Sequence, residues 1–392
     1  MKQPARWFSH LYLENWRNFT RVEADLQRRV LLVGPSASGK SNLLDALRFL
    51  GELVAPGGGF QEAVRRRGGV SRLRCLAARQ HSEVAIAVRI SGTDVPDWEY
   101  ALEFSSENPG KKPVICRERV TFDGNEVVNR PDERDLADPE RLTQTYLEQG
   151  AVNREFREVA AFLSSVRYVH PIPQAIREPW TPDGSHGGGF IAEVAAAAEN
   201  TRDSRLRRIL HMLRDAVPHL QRLELWRDPR GTPHLRARRG HWRPQGAWHT
   251  EDQLSDGTLR LIAILWAALD GSGPLLIEEP ELSLHPEVVR DLLPIFARIQ
   301  RRTSRQLFIT THSPDLVEDE RIPLEEVLLL VPGEEETSVR TPAAHGDMRA
   351  LLDGTLTEAV PPPAYDENQL DLFGEDFCVE EEAPAGGNGS RV

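Results

Sequence analysis

The sequence predicts an α/β fold: a mainly parallel sheet with helices on both sides, joined to an antiparallel β subdomain and a helical insert. Three observations predict it. Residues 29 to 53 read as strand, glycine-rich loop and helix, residues 83 to 128 hold alternating β-rich runs, and from Leu254 onward helix and strand alternate again.

In the first unit Val30, Leu31, Leu32 and Val33 form the unbroken apolar run of a strand buried on both faces. After the loop, Leu43, Leu44, Leu47 and Leu50 recur at helical spacing. The runs EVAIAVRI, WEYALEF and PVICRERVTF are separated by Gly, Pro, Asp and Asn, which predicts antiparallel strands. Residues 190 to 216, Ala-rich and then Leu/Arg-rich, predict helix. A helix over 258–269, a strand over 275–277, a helix over 287–301 and a strand over 306–310 then close the parallel sheet. Beyond about residue 340 the chain thins into Pro, Gly and acid, and residues 355 to 392 are too polar to bury a core. The expected organisation is a single head over 1–340 and a tail. Within the head lie a first lobe with the glycine loop and antiparallel sheet (1–150), a partly helical insert (151–250) and a closing lobe (251–340); an acidic, largely disordered tail follows (341–392).

Of the 392 residues 40% are hydrophobic, enough for a substantial core. No apolar run reaches the roughly 18 residues of a membrane span, and the start MKQPARWFSHLYLENW lacks a secretory apolar stretch, so a cytoplasmic protein without membrane association is expected. Cys75, Cys116 and Cys378 stand far apart and suggest neither a disulfide framework nor a zinc site. The net charge of −12 is uneven: residues 315–392 carry 20 acidic residues against 4 arginines, so this stretch holds −16 and residues 1–314 hold +4. In that mildly basic body arginines cluster at 65, 66, 67, 72 and 74, at 202, 205, 207 and 208, and at 236, 238, 239 and 243. They are either solvated faces or a track for a phosphate backbone.

The loop Gly34-Pro35-Ser36-Ala37-Ser38-Gly39-Lys40-Ser41 matches G-x-x-x-x-G-K-[ST] between a strand and a helix that continues with Asn42. Backbone N–H groups of such a loop wrap phosphates, Lys40 bridges the terminal ones, and Ser41 offers a hydroxyl to magnesium. Glu278 and Glu279 emerge at the end of the apolar run Pro274 to Ile277. One carboxylate can hold the magnesium shell while its neighbour orients or deprotonates the attacking water. ATP with magnesium is the implied ligand.

Two further pieces, Leu254-Ser255-Asp256-Gly257-Thr258 ahead of a helix and Thr310-Thr311-His312-Ser313 after a strand, complete an order of motifs. That order, with EEPELSLHP and THSPDL, resembles the heads of ABC-type P-loop ATPases, in their RecF/SMC-like and OLD-like branch, over about residues 8 to 331. The resemblance implies a homodimer closed head to head by ATP, in which Ser255 and Gly257 of one copy cap the γ-phosphate held by the Gly34 loop of the other. It implies Glu279 and His312 as catalytic groups, Glu278 and Ser41 as magnesium ligands, Leu284-His285-Pro286 as the D-loop region and Asn18-Phe19 as the close of the first strand region. Ser255 also suits a helix N-cap, where exposed N–H groups favour an anion. Ser255 to Glu279 is 24 residues and Glu279 to His312 is 33, spacings that the resemblance implies for the family's compact second lobe. Glu278 departs from the aspartate commoner in such proteins. The magnesium-sensing glutamine has Gln149 as first candidate and Gln61 as second.

About 215 residues separate Lys40 from Ser255, too few for long coiled-coil arms, and no Cys-x-x-Cys hook is present. The implied function is an ATPase acting on or near DNA in repair, recombination or phage defence. The alternative is the ATPase subunit of a separate nuclease or toxin effector, since no acidic cluster suited to a Toprim nuclease follows His312; a transporter engine fits less well. In the tail, Gln369-Leu370-Asp371-Leu372-Phe373 resembles the short peptide with which replication and repair proteins dock on the bacterial sliding clamp.

Overall fold

The computed structural model describes residues 5–78, 82–106, 112–178, 189–214, 216–240 and 247–356. The tail segment Gln369 to Phe373 and Cys378 lie outside the described residues.

In chain order the first lobe comprises β1 (Arg6–Trp16), β2 (Phe19–Asp25), β3 (Arg29–Val33), α1 (Lys40–Val54), α2 (Phe60–Arg66), α3 (Val70–Leu73), β4 (Val84–Gly92), β5 (Val95–Ser105), β6 (Val114–Phe122), β7 (Asn125–Arg130) and α4 (Glu133–Ala137). Then follow α5 (Arg157–Ser164), β8 (Arg167–Val169), α6 (Pro173–Arg177), α7 (Phe190–Ala196), α8 (Glu199–Met212), β9 (Leu220–Arg227), β10 (Pro233–Arg239) and β11 (Ala247–Thr250). The chain closes with α9 (Asp256–Leu269), β12 (Leu275–Glu278), α10 (Pro286–Thr303), β13 (Leu307–Thr311), α11 (Pro314–Val317), β14 (Val327–Pro332), β15 (Thr337–Arg340) and α12 (His345–Leu352).

Among the described residues three sheets form. The first, ordered β2-β1-β4-β5-β6-β7, is antiparallel. The second runs β15-β14-β3-β13-β12-β8, parallel except for β15. The third is the antiparallel trio β11-β10-β9. In the second sheet β3, β12 and β13 are apolar on both faces because helices and strands cover both, and their register aligns Val33 with Thr311 and Glu278 with Thr310. The ends that carry Gly34, Glu279 and His312 therefore converge.

Helix α1 buries Leu43, Leu44, Leu47 and Leu50 between the first two sheets, and Trp16 beneath it packs on Phe49 at 5.5 Å while donating Nε1–H to the carbonyl of Asn42. Each such buried side chain contributes about 1.5–3 kcal/mol relative to exposure. Helix α9 is apolar on nearly every side, Thr258 to Ala268 being buried, which fits its central position in the second core. On the far edge of the first sheet, the fully buried Arg130 donates to Glu118 at 2.8 Å and to Asp135 at 2.8 and 2.9 Å, with its guanidinium 3.8 Å from the centre of the Tyr146 ring.

Two expectations need correction. The stretch 190–216 is not one helix: α7 ends at Ala196 and α8 starts at Glu199, with extended Ala197 and Ala198 between. The chain past 340 does not immediately thin out, because α12 buries Met348 and Leu351 in the second core; the boundary drawn at 341 falls before an ordered helix.

Candidate ATP site

The glycine loop joins β3 to α1. Gly39 has φ +93°, a left-handed value, and a Cβ there would collide with the Asn18 amide, so glycine is required on two counts. Asn18 ties the loop down: its Nδ2 donates to the Ser38 carbonyl at 3.3 Å and to Thr337 Oγ1 at 2.9 Å, and its Oδ1 accepts from Asn42 at 2.7 Å. Pro35 is half-buried, Ser36 and Ala37 are exposed, and Ser38 is buried. The buried Lys40 ammonium donates to the carbonyls of Gly34 and Pro35, each at 2.8 Å. Burial pushes its pKa down, against the opposing pull of Glu279, Glu281 and Glu278.

At the end of β12 the Glu278 carboxylate accepts from two hydroxyls, Ser41 Oγ and Tyr168 OH. Tyr168 lies on β8, beside β12 in the sheet, and Arg48 stacks 4.9 Å from its ring centre. Burial, then the neighbouring Glu278, raises the Tyr168 pKa far above its ordinary value, so it stays a donor. A hollow of about 400 Å³ beside the loop is lined by Ser41, Asn42, Tyr168 and Glu278 together with Arg17 and Asp45. Ser41 Oγ and the Glu278 carboxylate, already in contact and facing that hollow, are the hard oxygen donors that magnesium takes, so the residues present fit the ion.

One residue on, Glu279 has φ +42°, unusual outside glycine, and its N–H donates to Thr310 Oγ1 at 3.0 Å. Its Oε1 lies 2.9 Å from His312 Nδ1. Facing a carboxylate, Nδ1 is placed to donate to it. Behind them the buried Glu281 accepts from Thr311 Oγ1 at 2.7 Å and from the His312 N–H at 3.2 Å, and burial raises its pKa. Arg260, one turn into α9, is buried near Glu279 and Glu281. Sequence reasoning passed over Tyr168, Glu281 and Arg260.

Ser255 is the N-cap of α9, exposed, with its Oγ 3.4 Å from the N–H of Thr258 that it accepts. Gly257 is buried against the D-loop region, where a Cβ would collide with the Ser283 carbonyl and Leu284. The structure thus brings Lys40, Ser41, Glu278, Glu279 and His312 together, and gives Ser255 and Gly257 contacts of their own on α9. Gln149 donates its amide to the Thr145 carbonyl at 3.1 Å, and Gln61 donates to the carbonyls of Pro113 and Thr143 at 2.8 Å each. Gln61 lines a separate, larger hollow of about 960 Å³ with Arg65, Arg74 and Lys112, which contains no residue of the loop.

A protein-family model described as "AAA domain, putative AbiEii toxin, Type IV TA system" matches residues 30–318. No curated protein matches the chain. Among solved structures, an SMC head bound to the C-winged helix domain of ScpA superimposes with TM-score 0.57 at 12% identity, over 86% of this chain and 98% of that one. An Smc head domain with a coiled coil and joint derived from Pyrococcus yayanosii gives TM-score 0.52 at 10% identity, over 89% and 99%. One with an extended coiled coil derived from Pyrococcus furiosus, bound to the C-terminal domain of ScpA, gives TM-score 0.50 at 12% identity, over 90% and 100%. At these identities the likeness is one of fold alone, that of an SMC head domain.

Proposed function

The chain belongs to this AAA domain family, and from that premise we propose that it binds and hydrolyses ATP with magnesium, closes into a head-to-head homodimer when ATP is bound, and works on or near DNA in repair, recombination or phage defence. The observation that carries the chemistry is the placement of two carboxylates with separate partners, Glu278 on the hydroxyls of Ser41 and Tyr168 and Glu279 on His312.

In this reading the Gly34 to Ser41 loop and the start of α1 hold the phosphates through backbone N–H groups, and Lys40 turns from the loop carbonyls to the terminal phosphates. Ser41 and Glu278 would hold magnesium, which would supply charge neutralisation to the phosphate oxygens. Glu279 accepts the proton of the attacking water, while His312 orients that carboxylate through Nδ1 and faces the γ-phosphate with its other edge. Ser255 stands exposed at the N-terminus of α9 and, with Gly257, caps the γ-phosphate held by a partner copy. Gln149 is the magnesium-sensing residue only if its turn moves, because its amide is bonded within that turn.

Lys40→Ala abolishes ATP binding; Glu279→Gln binds ATP, hydrolyses it slowly and accumulates as a dimer. Both are measured by nucleotide binding, phosphate release and light scattering with ATP. A Glu279→Gln protein that turns over at the wild-type rate removes Glu279 from the mechanism.

The DNA reading rests on the +4 body and its arginine clusters. Three residues of the first cluster contribute little: Arg65 and Arg66 pair with Glu62, and the buried Arg67 pairs with Asp45 and Glu52. The family description names a toxin system, which favours a second reading, the ATPase subunit of a separate toxin or nuclease effector. A transporter role has less support, as no helix among the described residues is long and apolar enough to cross a membrane. Copurification with an effector at constant stoichiometry distinguishes the second reading from the first.

A further inference from the structure

The small third sheet has two unlike faces. Leu223 and Leu225 of β9 and Leu235 and Ala237 of β10 turn inward and pack in the second core with Phe190, Val194, Leu206 and Ile209 of α7 and α8. By the two-residue period of strands, the opposite face takes Arg222, Glu224 and Trp226 from β9, His234, Arg236 and Arg238 from β10, and Trp248 from β11. The register sets Arg222 across from Arg238, and Arg238 across from Trp248, while Trp226 pairs with His234.

Flat groups line up there. The Arg236 guanidinium lies 4.3 Å from the centre of the Trp248 ring and 5.4 Å from that of Trp226, Arg222 lies 5.8 Å from Trp248, and the Trp226 and His234 rings are 5.7 Å apart. Trp248 is 37% exposed and the Arg222 side chain 61%. The Glu224 carboxylate serves both Arg222 at 2.8 Å and Arg236 at 2.6 Å, and at one end of the face His234 pairs with Glu251 at 2.6 Å and lies 3.9 Å from Asp228.

We infer that this face is a docking surface for single-stranded nucleic acid, with bases stacking on Trp248 and Trp226 and phosphates meeting Arg222 and Arg238. The inference deepens the DNA reading above and rests on it. A duplex keeps its base faces stacked on one another and offers nothing to a tryptophan plane, whereas an unpaired strand presents a π-face at each nucleotide beside its charge. The exposed Arg222 and its cross-strand neighbour Arg238 supply the cations that a phosphate backbone meets.

The test is binding of a labelled oligothymidine and of a labelled duplex to the full chain, by fluorescence anisotropy over a salt series. The single strand binds more tightly than the duplex. Trp248→Ala and Trp226→Ala each weaken it about tenfold. Arg222→Ala lowers the slope of log affinity against log salt by about 0.7. Glu224→Gln tightens binding, a direction that misfolding does not produce, and the DNA-free ATPase rate of all four variants equals that of the wild type. If the wild type binds nucleic acid but all four variants bind like it, this face is not the site and the general DNA reading survives. A preference for duplex over single strand also overturns the inference; a wild type that binds no nucleic acid at low salt removes both.

Discussion

Glu278 illustrates how one methylene changes a site. The glutamate is long enough to touch Ser41 on one side and Tyr168 on the other. In the proposed reading Tyr168 is a positioning residue, acting on the ion through Glu278. Tyr168→Phe raises the magnesium concentration needed for half-maximal ATP hydrolysis by about tenfold, with little change in rate at saturating magnesium. A magnesium titration checks it, and an unchanged half-point removes Tyr168 from the site. Lys40, Ser41, Glu278, Glu279 and His312 were legible because local spacing and flanking strands mark them. Tyr168 was not, since it reaches Glu278 across 110 residues of sequence from a strand only three residues long.

At the scale of elements, the turn from β7 into α4 depends on Arg130. Asp135 shows its strength: burial would raise the carboxyl, but hydrogen bonds from Arg130, the Asp132 N–H and Arg141 prevail and hold it at about 2. A carboxyl depressed in the fold contributes stability above its ordinary pKa, and that contribution fades as pH falls from about 4 towards 2. Arg130→Ala leaves the buried Glu118 without its ion partner and Asp135 with Arg141 alone, which costs about 3–5 kcal/mol. Urea unfolding at neutral pH measures it, and the deficit shrinks in acid as the carboxylates protonate; a loss under about 1 kcal/mol at neutral pH would sink the claim. Sequence reading found β3, β12, β13, α9 and α10 to within two residues because long apolar patterns specify them. It missed β8, the third sheet and α12, whose short runs become strands or helix only through the neighbours that cover them. The break between α7 and α8 was equally hidden, since alanines suit a helix and the tertiary packing overrides that preference.

For the molecule as a whole, the tail is proposed as an address separate from the ATPase. A peptide spanning residues 364 to 378 binds purified bacterial sliding clamp, and its Leu372→Ala, Phe373→Ala double variant does not, because those side chains are the anchors for an apolar pocket. Equal binding by both peptides would end that reading. The parallel sheet has another consequence, for synthesis on the ribosome. Strand β3 has β13 and β14 as its two neighbours, so a nascent chain extrudes its glycine loop roughly 280 residues before either flank exists. Asn18 likewise waits for Thr337. Such distant pairing makes for slow, late folding, and the half-made apolar strand is exposed meanwhile. A chain stalled before residue 307 remains open to protease at β3 and a ready client for chaperones; one released past residue 340 closes the sheet and acquires its nucleotide pocket in the same step.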